Sequence, residues 1–239
     1  MENRSNLAAL ILGGLLCAGL IGLGYLLSSG AVRFKTLDRT VTVKGLSERE
    51  VAATVAIWPI RFSEADNDLT SLVSAVQSKT ALIVEFLQGS GFRDDEISIS
   101  PPAIIDRQAQ GYVESNKVPF RYAATAVVTL YSGKVEAVRS AMAKLVELGK
   151  QGIAISGQDY QTRTEFLFTE LNSIKPAMIE EATRNAREVA EKFAQDSSSR
   201  LGKIRRAQQG QFSISDRDSN TPYIKKVRVV STLEYYLSD

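Results

Sequence analysis

Residues 51–91, VAATVAIWPIRFSEADNDLTSLVSAVQSKTALIVEFLQGSG, set a strand pattern directly before a helix pattern. Val51–Phe62 is an apolar strand, and Pro59, which has no N–H, places its end at an edge or a bulge. Asp66, Asn67 and Asp68 offer acceptors for the first amides of a helix. Leu69, Leu72, Val73, Val76, Thr80, Ile83 and Leu87 then share one helical face, and Gly89 and Gly91 stop the helix. Downstream, Glu96–Ser100 alternates through Ile97 and Ile99 and runs past Pro101 and Pro102 to about Ile105. Residues 106–119 are polar and read as a loop or hairpin tip. Tyr122, Ala124, Ala126, Val128 and Leu130 alternate along a long strand.

The same order recurs in the second half. Tyr160–Thr169 alternates through Thr162, Thr164, Phe166 and Phe168. Asn172 opens a long helix, with Pro176 in its first turn where the missing N–H costs little. Its apolar stripe is Met178, Ala182, Ala186, Val189, Ala190 and Phe193. Such an alanine-rich stripe implies a close-packed neighbour. Lys203–Ile214 reads as a strand, Ser215–Pro222 as a loop and Val227–Tyr236 as a closing strand. Between the two halves, Ser132 can cap a helix over 133–148 with Val135, Val138, Met142, Leu145 and Val146 on one face. The expected fold class is α+β, with duplicated β-α-β-β units over 40–131 and 159–237 and the helix 133–148 inserted between them. Helices pack on antiparallel or mixed sheets. Ahead of the first unit, Thr40–Lys44 alternates Val41 and Val43 as a further strand, and 33–39 reads as a tether.

Leu7–Leu27, LAALILGGLLCAGLIGLGYLL, has neither charge nor proline. At about 1.5 Å rise per residue, such a helix covers roughly the 30 Å hydrocarbon core of a bilayer. A cleaved signal peptide has a shorter apolar core, so the length favours a retained anchor over 1–32, although Ser29-Gly30-Ala31 has the small residues of a cleavage site. The N-terminal flank carries Arg4 against Glu2, and the other flank Arg33, Lys35 and Arg39 against Asp38. Counted by flanking charge alone, the body would face the cytoplasm. Within the helix, Gly14, Ala18 and Gly22 share a face on which two helices can pack closely.

With 29 basic and 27 acidic residues the net charge is +2, which argues against a nucleic-acid binder driven by phosphate neutralisation. There is no histidine, and the single cysteine, Cys17, lies in the apolar N-terminal segment. The body therefore lacks an imidazole base, a thiol nucleophile, a disulfide and Cys/His zinc ligands. Asp94-Asp95-Glu96 is the densest acidic cluster, and its place after a glycine-ended helix reads as a solvated turn. GKQGIAISG, residues 149–157, lacks the order of a phosphate loop. Lys203, Arg205 and Arg206 with Lys225, Lys226 and Arg228 form a candidate basic patch should their strands pair, with an ordinary exposed strand face as the alternative. Trp58 is a candidate interface anchor, with a core position as the alternative.

Three segments are familiar together. Thr40–Pro59, TVTVKGLSEREVAATVAIWP, resembles the opening of the SIMPL-domain (periplasmic immunogenic protein) family, with its Val-x-Val-x-Gly strand. Ala182–Gly202, ATRNAREVAEKFAQDSSSRLG, resembles that family's alanine-rich helix ending in Leu-Gly, and Val227–Leu237 fits its closing strand. The resemblance implies an extracytoplasmic α+β domain behind a secretion signal or anchor, linked loosely to envelope stress, with a branch that builds ring- or channel-like homo-oligomers. It supplies no catalytic residues. Against the flanking charges, it puts the body in the periplasm, held by one helix in a bacterial inner membrane.

The expectation is thus a non-enzymatic, membrane-anchored envelope protein whose body forms a homo-oligomer. No catalytic residue, cofactor, metal or nucleic acid is expected, and no small-molecule ligand is indicated. The alternative is a periplasmic binding or scaffold module presenting loops 106–119 and 215–222 to a protein partner.

Overall fold

The computed structural model of the chain describes residues 13–29, 39–109, 119–155 and 163–238. Residues 13–29 form helix α1. Of the expected anchor, residues 1–12 and 30–32 lie outside the described residues, as do 33–38 of the expected tether. Among the described residues no helix is long and apolar enough to cross a membrane.

The architecture is α+β, and every strand register that can be followed is antiparallel. The order is β1 (Thr40–Ala52), β2 (Val55–Asp66), α2 (Leu69–Gly89), β3 (Ile97–Ile99), β4 (Ala103–Asp106) and β5 (Tyr122–Ser132). There follow α3 (Val135–Ala143), α4 (Val146–Lys150), β6 (Glu165–Leu167), α5 (Leu171–Asp196), β7 (Arg200–Gln209), β8 (Ser213–Asp216) and β9 (Ile224–Ser238). The chain divides into two compact units. One holds the described residues up to Glu48 with Lys175–Phe212 and Arg228 onward; the other holds Arg49–Ile174 and Ser213–Val227.

The second of these units is built on the segment quoted first above. Its sheet has the order β3-β5-β2-β6, with β4 also on β5. β2 and β5 pair from Ala56 opposite Ser132 to Asp66 opposite Tyr122. Alternation along them buries Ala56, Trp58, Ile60 and Phe62 against Ala124, Ala126, Val128 and Leu130. α2 starts at Asp68, whose carboxylate accepts from the Ser71 N–H at 2.7 Å. It ends at Gly91, whose φ of +91° a side chain would strain. Leu72, Val76, Ile83 and Leu87 of α2 close the core, each contributing about 1.5–3 kcal/mol by leaving water. Pro59 lies in mid-strand opposite Thr129 of β5, and β2 runs on to Asp66, so the strand does not end near it as expected. The expected helix 133–148 is two short helices, α3 and α4, separated at Lys144 and Leu145; Val146 is exposed and outside the core.

The other unit has the sheet order β1-β9-β7. Here the strand order corrects the expected second repeat. Of Tyr160–Thr169, residues 160–162 lie outside the described residues, and the remainder is strand only at β6, which pairs with β2. The strand beside β9 is β1 instead. Both units thus place a first strand next to the last one, with the post-helix strand on its other side, but the second draws its first strand from the chain's N-terminal side. Alternation in 160–169 is genuine, yet it specifies a strand without specifying its partner.

α5 packs on β1 and β9 through residues at strict four-residue spacing. Met178, Ala182, Ala186, Ala190 and Ala194 are buried. Val189 and Phe193 lie off that line and are exposed, so they leave the expected stripe. The close neighbour implied by the alanines is Gly45. A Cβ there would stand 1.8 Å from the Ala182 carbonyl oxygen and 2.6 Å from the Ala186 nitrogen. The Asn185 amide donates to the Leu46 carbonyl at 2.8 Å, and Ser47 Oγ donates to Glu181 at 3.0 Å, fixing the register of helix on strand. α5 begins one residue earlier than expected and carries Pro176 inside it rather than in its first turn.

Candidate functional site

β3 and β4 are short because Pro101 and Pro102 between them have no N–H to continue a ladder. The sheet therefore ends early beneath α2. The space left is a groove of about 510 Å³ between Val73, Thr80 and Val84 of α2 and Ile99 and Pro102 of the edge, floored by Ala126. Its lining is mostly hydrocarbon, and Gln77, Glu85 and Gln88 reach it from the helix. Size and composition match a binding cleft. Ile99, Ile104 and Ile105 along the same edge are all exposed.

β7 shows the opposite condition. Nine of its ten residues are exposed, on both faces, and among the described residues it has a neighbouring strand on one side only. Its register on β9 shifts twice, between Leu201 and Ile204 and between Ile204 and Arg206.

Of the candidate basic patch, Lys203, Arg205, Arg206 and Arg228 belong to one unit and Lys225 and Lys226 to the other. Arg206 stands opposite Glu234. Arg228 is six residues earlier on β9, about 20 Å away at the usual rise per residue. Arg228 faces Glu48 at 4.0 Å, and Arg205 faces Glu234 at 3.2 Å. Lys225, 7% exposed, is paired with Asp216 in the other unit, to which Lys226 also belongs. Lys203 and Arg206 remain exposed on β7, where charges guard a bare edge.

Trp58 is 3% exposed in the centre of the core, opposite Leu130. It is a core residue and no surface anchor. Gly14, Ala18 and Gly22 lie on α1 with open space where a Cβ would stand at either glycine.

The acidic cluster is the expected turn, with Asp94 and Asp95 exposed, and Glu96 ties it to the sheet. Glu96 accepts from Ser132 Oγ at 2.6 Å, from the Arg93 N–H at 2.9 Å and from Lys134 at 3.0 Å. The Ser132 hydroxyl and the Arg93 amide hold its carboxyl down to about 2. Ser132 thus ties β5 to the turn before β3, and its oxygen also accepts from the Lys134 N–H.

Two loop bases are likewise fixed. Asp106 forks with Arg121, whose guanidinium holds the Asp106 carboxyl below the usual range. Asp218 accepts from the Thr221 hydroxyl, from Arg217 and from the Asn220 and Thr221 amides, all of which lower its carboxyl. Of the loop 106–119, residues 110–118 lie outside the described residues. A second concavity, of about 360 Å³, is lined by Arg163, Phe166, Asp216 and Lys225, and its charges answer one another. Among the described residues no three His, Cys, Asp or Glu side chains are placed to hold a metal ion.

The groove and the bare strand were not legible as sites. Both arise where one element fails to cover another, and hydropathy along the chain carries no signal for that. The prolines at 101 and 102 were the only local hint.

Comparison with curated proteins finds no match. A family model described as SIMPL, protein of unknown function (DUF541), matches residues 41–232. The match runs from β1 to β9 and so includes both sides of the contact between Gly45 and the α5 alanines. By a match over most of its length, the chain belongs to the SIMPL family.

Proposed function

We propose that this is a non-enzymatic, membrane-anchored envelope protein whose body lies in the periplasm and works by self-assembly into a homo-oligomer. Ring or channel closure and a part in envelope stress are the further content of the proposal. The observation that carries it is β7, a ten-residue strand with nine exposed positions and, among the described residues, one edge without a partner strand. A long edge strand bare on both faces is a template for another chain. The apolar segment 7–27 supports the anchor, and tethering in a plane raises the local concentration of bodies so that weak contacts suffice. The test is the native mass of the full-length protein in detergent beside that of a chain beginning at Arg39. Multiples of the chain mass for the full-length protein support the proposal; a monomer at every concentration overturns it. Protease added to spheroplasts should digest the body, and protection until the inner membrane is lysed would place it in the cytoplasm instead.

A second reading, a binding or scaffold module presenting loops 106–119 and 215–222, draws on the preorganised Asp218 turn. A monomer that captures one partner stoichiometrically would favour it.

A further inference from the structure

We infer that the apolar groove beside β3 and β4 is the seat of strand β7 from a second copy of this chain, in a head-to-tail contact. The inference rests on the self-assembly proposal and names its two surfaces.

Each surface lacks what the other has. On the groove side, α2 overhangs the β3–β4 edge, and Val84 and Ile99 wall a space that another strand would fill. The Ser100 N–H donates to the Val127 carbonyl at 3.1 Å. With Ile99 opposite Val128, antiparallel alternation turns the amide groups of Ile97 and Ile99 outward. On the β7 side, the Gly210 N–H donates to the Val230 carbonyl at 2.8 Å. The same alternation turns the amide groups of Ala207 and Gln209 outward. Ile204 and Ala207 stand opposite Tyr235 and Leu233, both buried, so they share the face that carries α5. Yet Ile204 is 40% exposed, because α5 does not cover β7. One sheet has a helix flank without a strand beneath it. The other has a strand without a helix above it. Main-chain bonds along the joined edges, with Ile204 and Ala207 turned to the groove, are the usual chemistry of strand addition.

The charges are opposite in sign. β7 presents Lys203 and Arg206, and the groove's end presents Glu85 and Asp94, all exposed. Pairing β7 with β7 of another copy would instead set basic residues against basic residues. The contact is therefore heterologous. Every copy keeps one unused surface after docking, and such contacts grow into rings or filaments.

The experiment uses two variants of the full-length chain in detergent. Ala207→Pro removes an outward N–H and leaves the ladder to β9 intact. Ile99→Glu puts a charge at a groove position that is 57% exposed. Each alone should raise the concentration needed for assembly about tenfold or more. Mixed in equal amounts, they should form heterodimers that stop at two chains, since each contributes one intact surface. If both variants keep their melting transition and the mixture stays monomeric, the head-to-tail contact is overturned. If both assemble like the unaltered chain, the two surfaces are wrong while self-assembly stands. If the unaltered chain is itself monomeric, the self-assembly proposal fails with it.

Discussion

Gly45→Ala should be among the most damaging single substitutions in the protein, although it adds only one methyl group. The new Cβ would lie 1.8 Å from the Ala182 carbonyl oxygen, 2.6 Å from the Ala186 nitrogen and 2.8 Å from the Ala186 Cβ. Two of these three atoms are backbone and cannot rotate away. α5 would have to lift by about 1.5 Å to reach ordinary contact distance, at a separation where even a 1 Å gap forfeits up to half of each dispersion contact. Ala182, Ala186 and Ala190, all fully buried, would lose their seat on β1. Overpacking costs about 1–3 kcal/mol where side chains can adjust, so a backbone collision should cost about 3–5 kcal/mol. That is a large part of a typical folding free energy of roughly 5–15 kcal/mol. Urea unfolding followed by far-ultraviolet circular dichroism would measure it. Adding Ala186→Gly removes only the 2.8 Å contact and brings its own helix cost of about 1 kcal/mol, so it should not rescue. A loss under about 1 kcal/mol for Gly45→Ala would refute the direct seating of α5 on β1.

Glu96→Gln should cost about 2–3 kcal/mol at neutral pH, because Ser132, Lys134 and the Arg93 amide all bond to the charged form. The Glu96 carboxyl is lowered in the folded state from 4.5 to about 2, so its contribution is complete above about pH 4.5 and lost as pH falls toward 2. The gap between the parent and Glu96→Gln in urea midpoints should therefore close over that range, and a pH-independent gap would contradict the assignment. Tyr235→Phe should leave stability unchanged or raise it by about 1 kcal/mol, because the buried Tyr235 hydroxyl has no hydrogen-bond partner among the described residues. A clear loss in thermal denaturation would reveal a partner for that hydroxyl. Gly14→Ile with Gly22→Ile should lower the assembly state of the full-length chain without changing the body's melting transition, if the α1 face packs. An unchanged native mass would leave assembly to the body alone.

Local chemistry was the most legible part of the chain. Asp68 bounds α2 through its carboxylate and Gly91 through its backbone at positive φ, and the alternation of β2, β5 and β9 maps onto buried and exposed positions. The alanines of α5 announced a close neighbour without naming it. Gly45 supplies that neighbour from the other end of the chain, and a sequence holds no local trace of such a contact. The same limit explains β6. Of the alternation over 160–169, a strand forms at Glu165–Leu167, and its sheet membership is decided by long-range hydrogen bonding. The basic residues at 203–206 and 225–228 looked like one patch, but Lys225 and Lys226 belong to a different unit from the rest. Trp58 was readable as either core or anchor, and burial by both β5 and α2 decides for the core. The groove was invisible because it is an absence: the strand that Pro101 and Pro102 cut short.

Sedimentation equilibrium of the full-length protein in detergent, across a hundredfold range of concentration, tests the central proposal most directly. The protein mass should rise with concentration in multiples of 26.1 kDa. A mass fixed at 26.1 kDa throughout would contradict it.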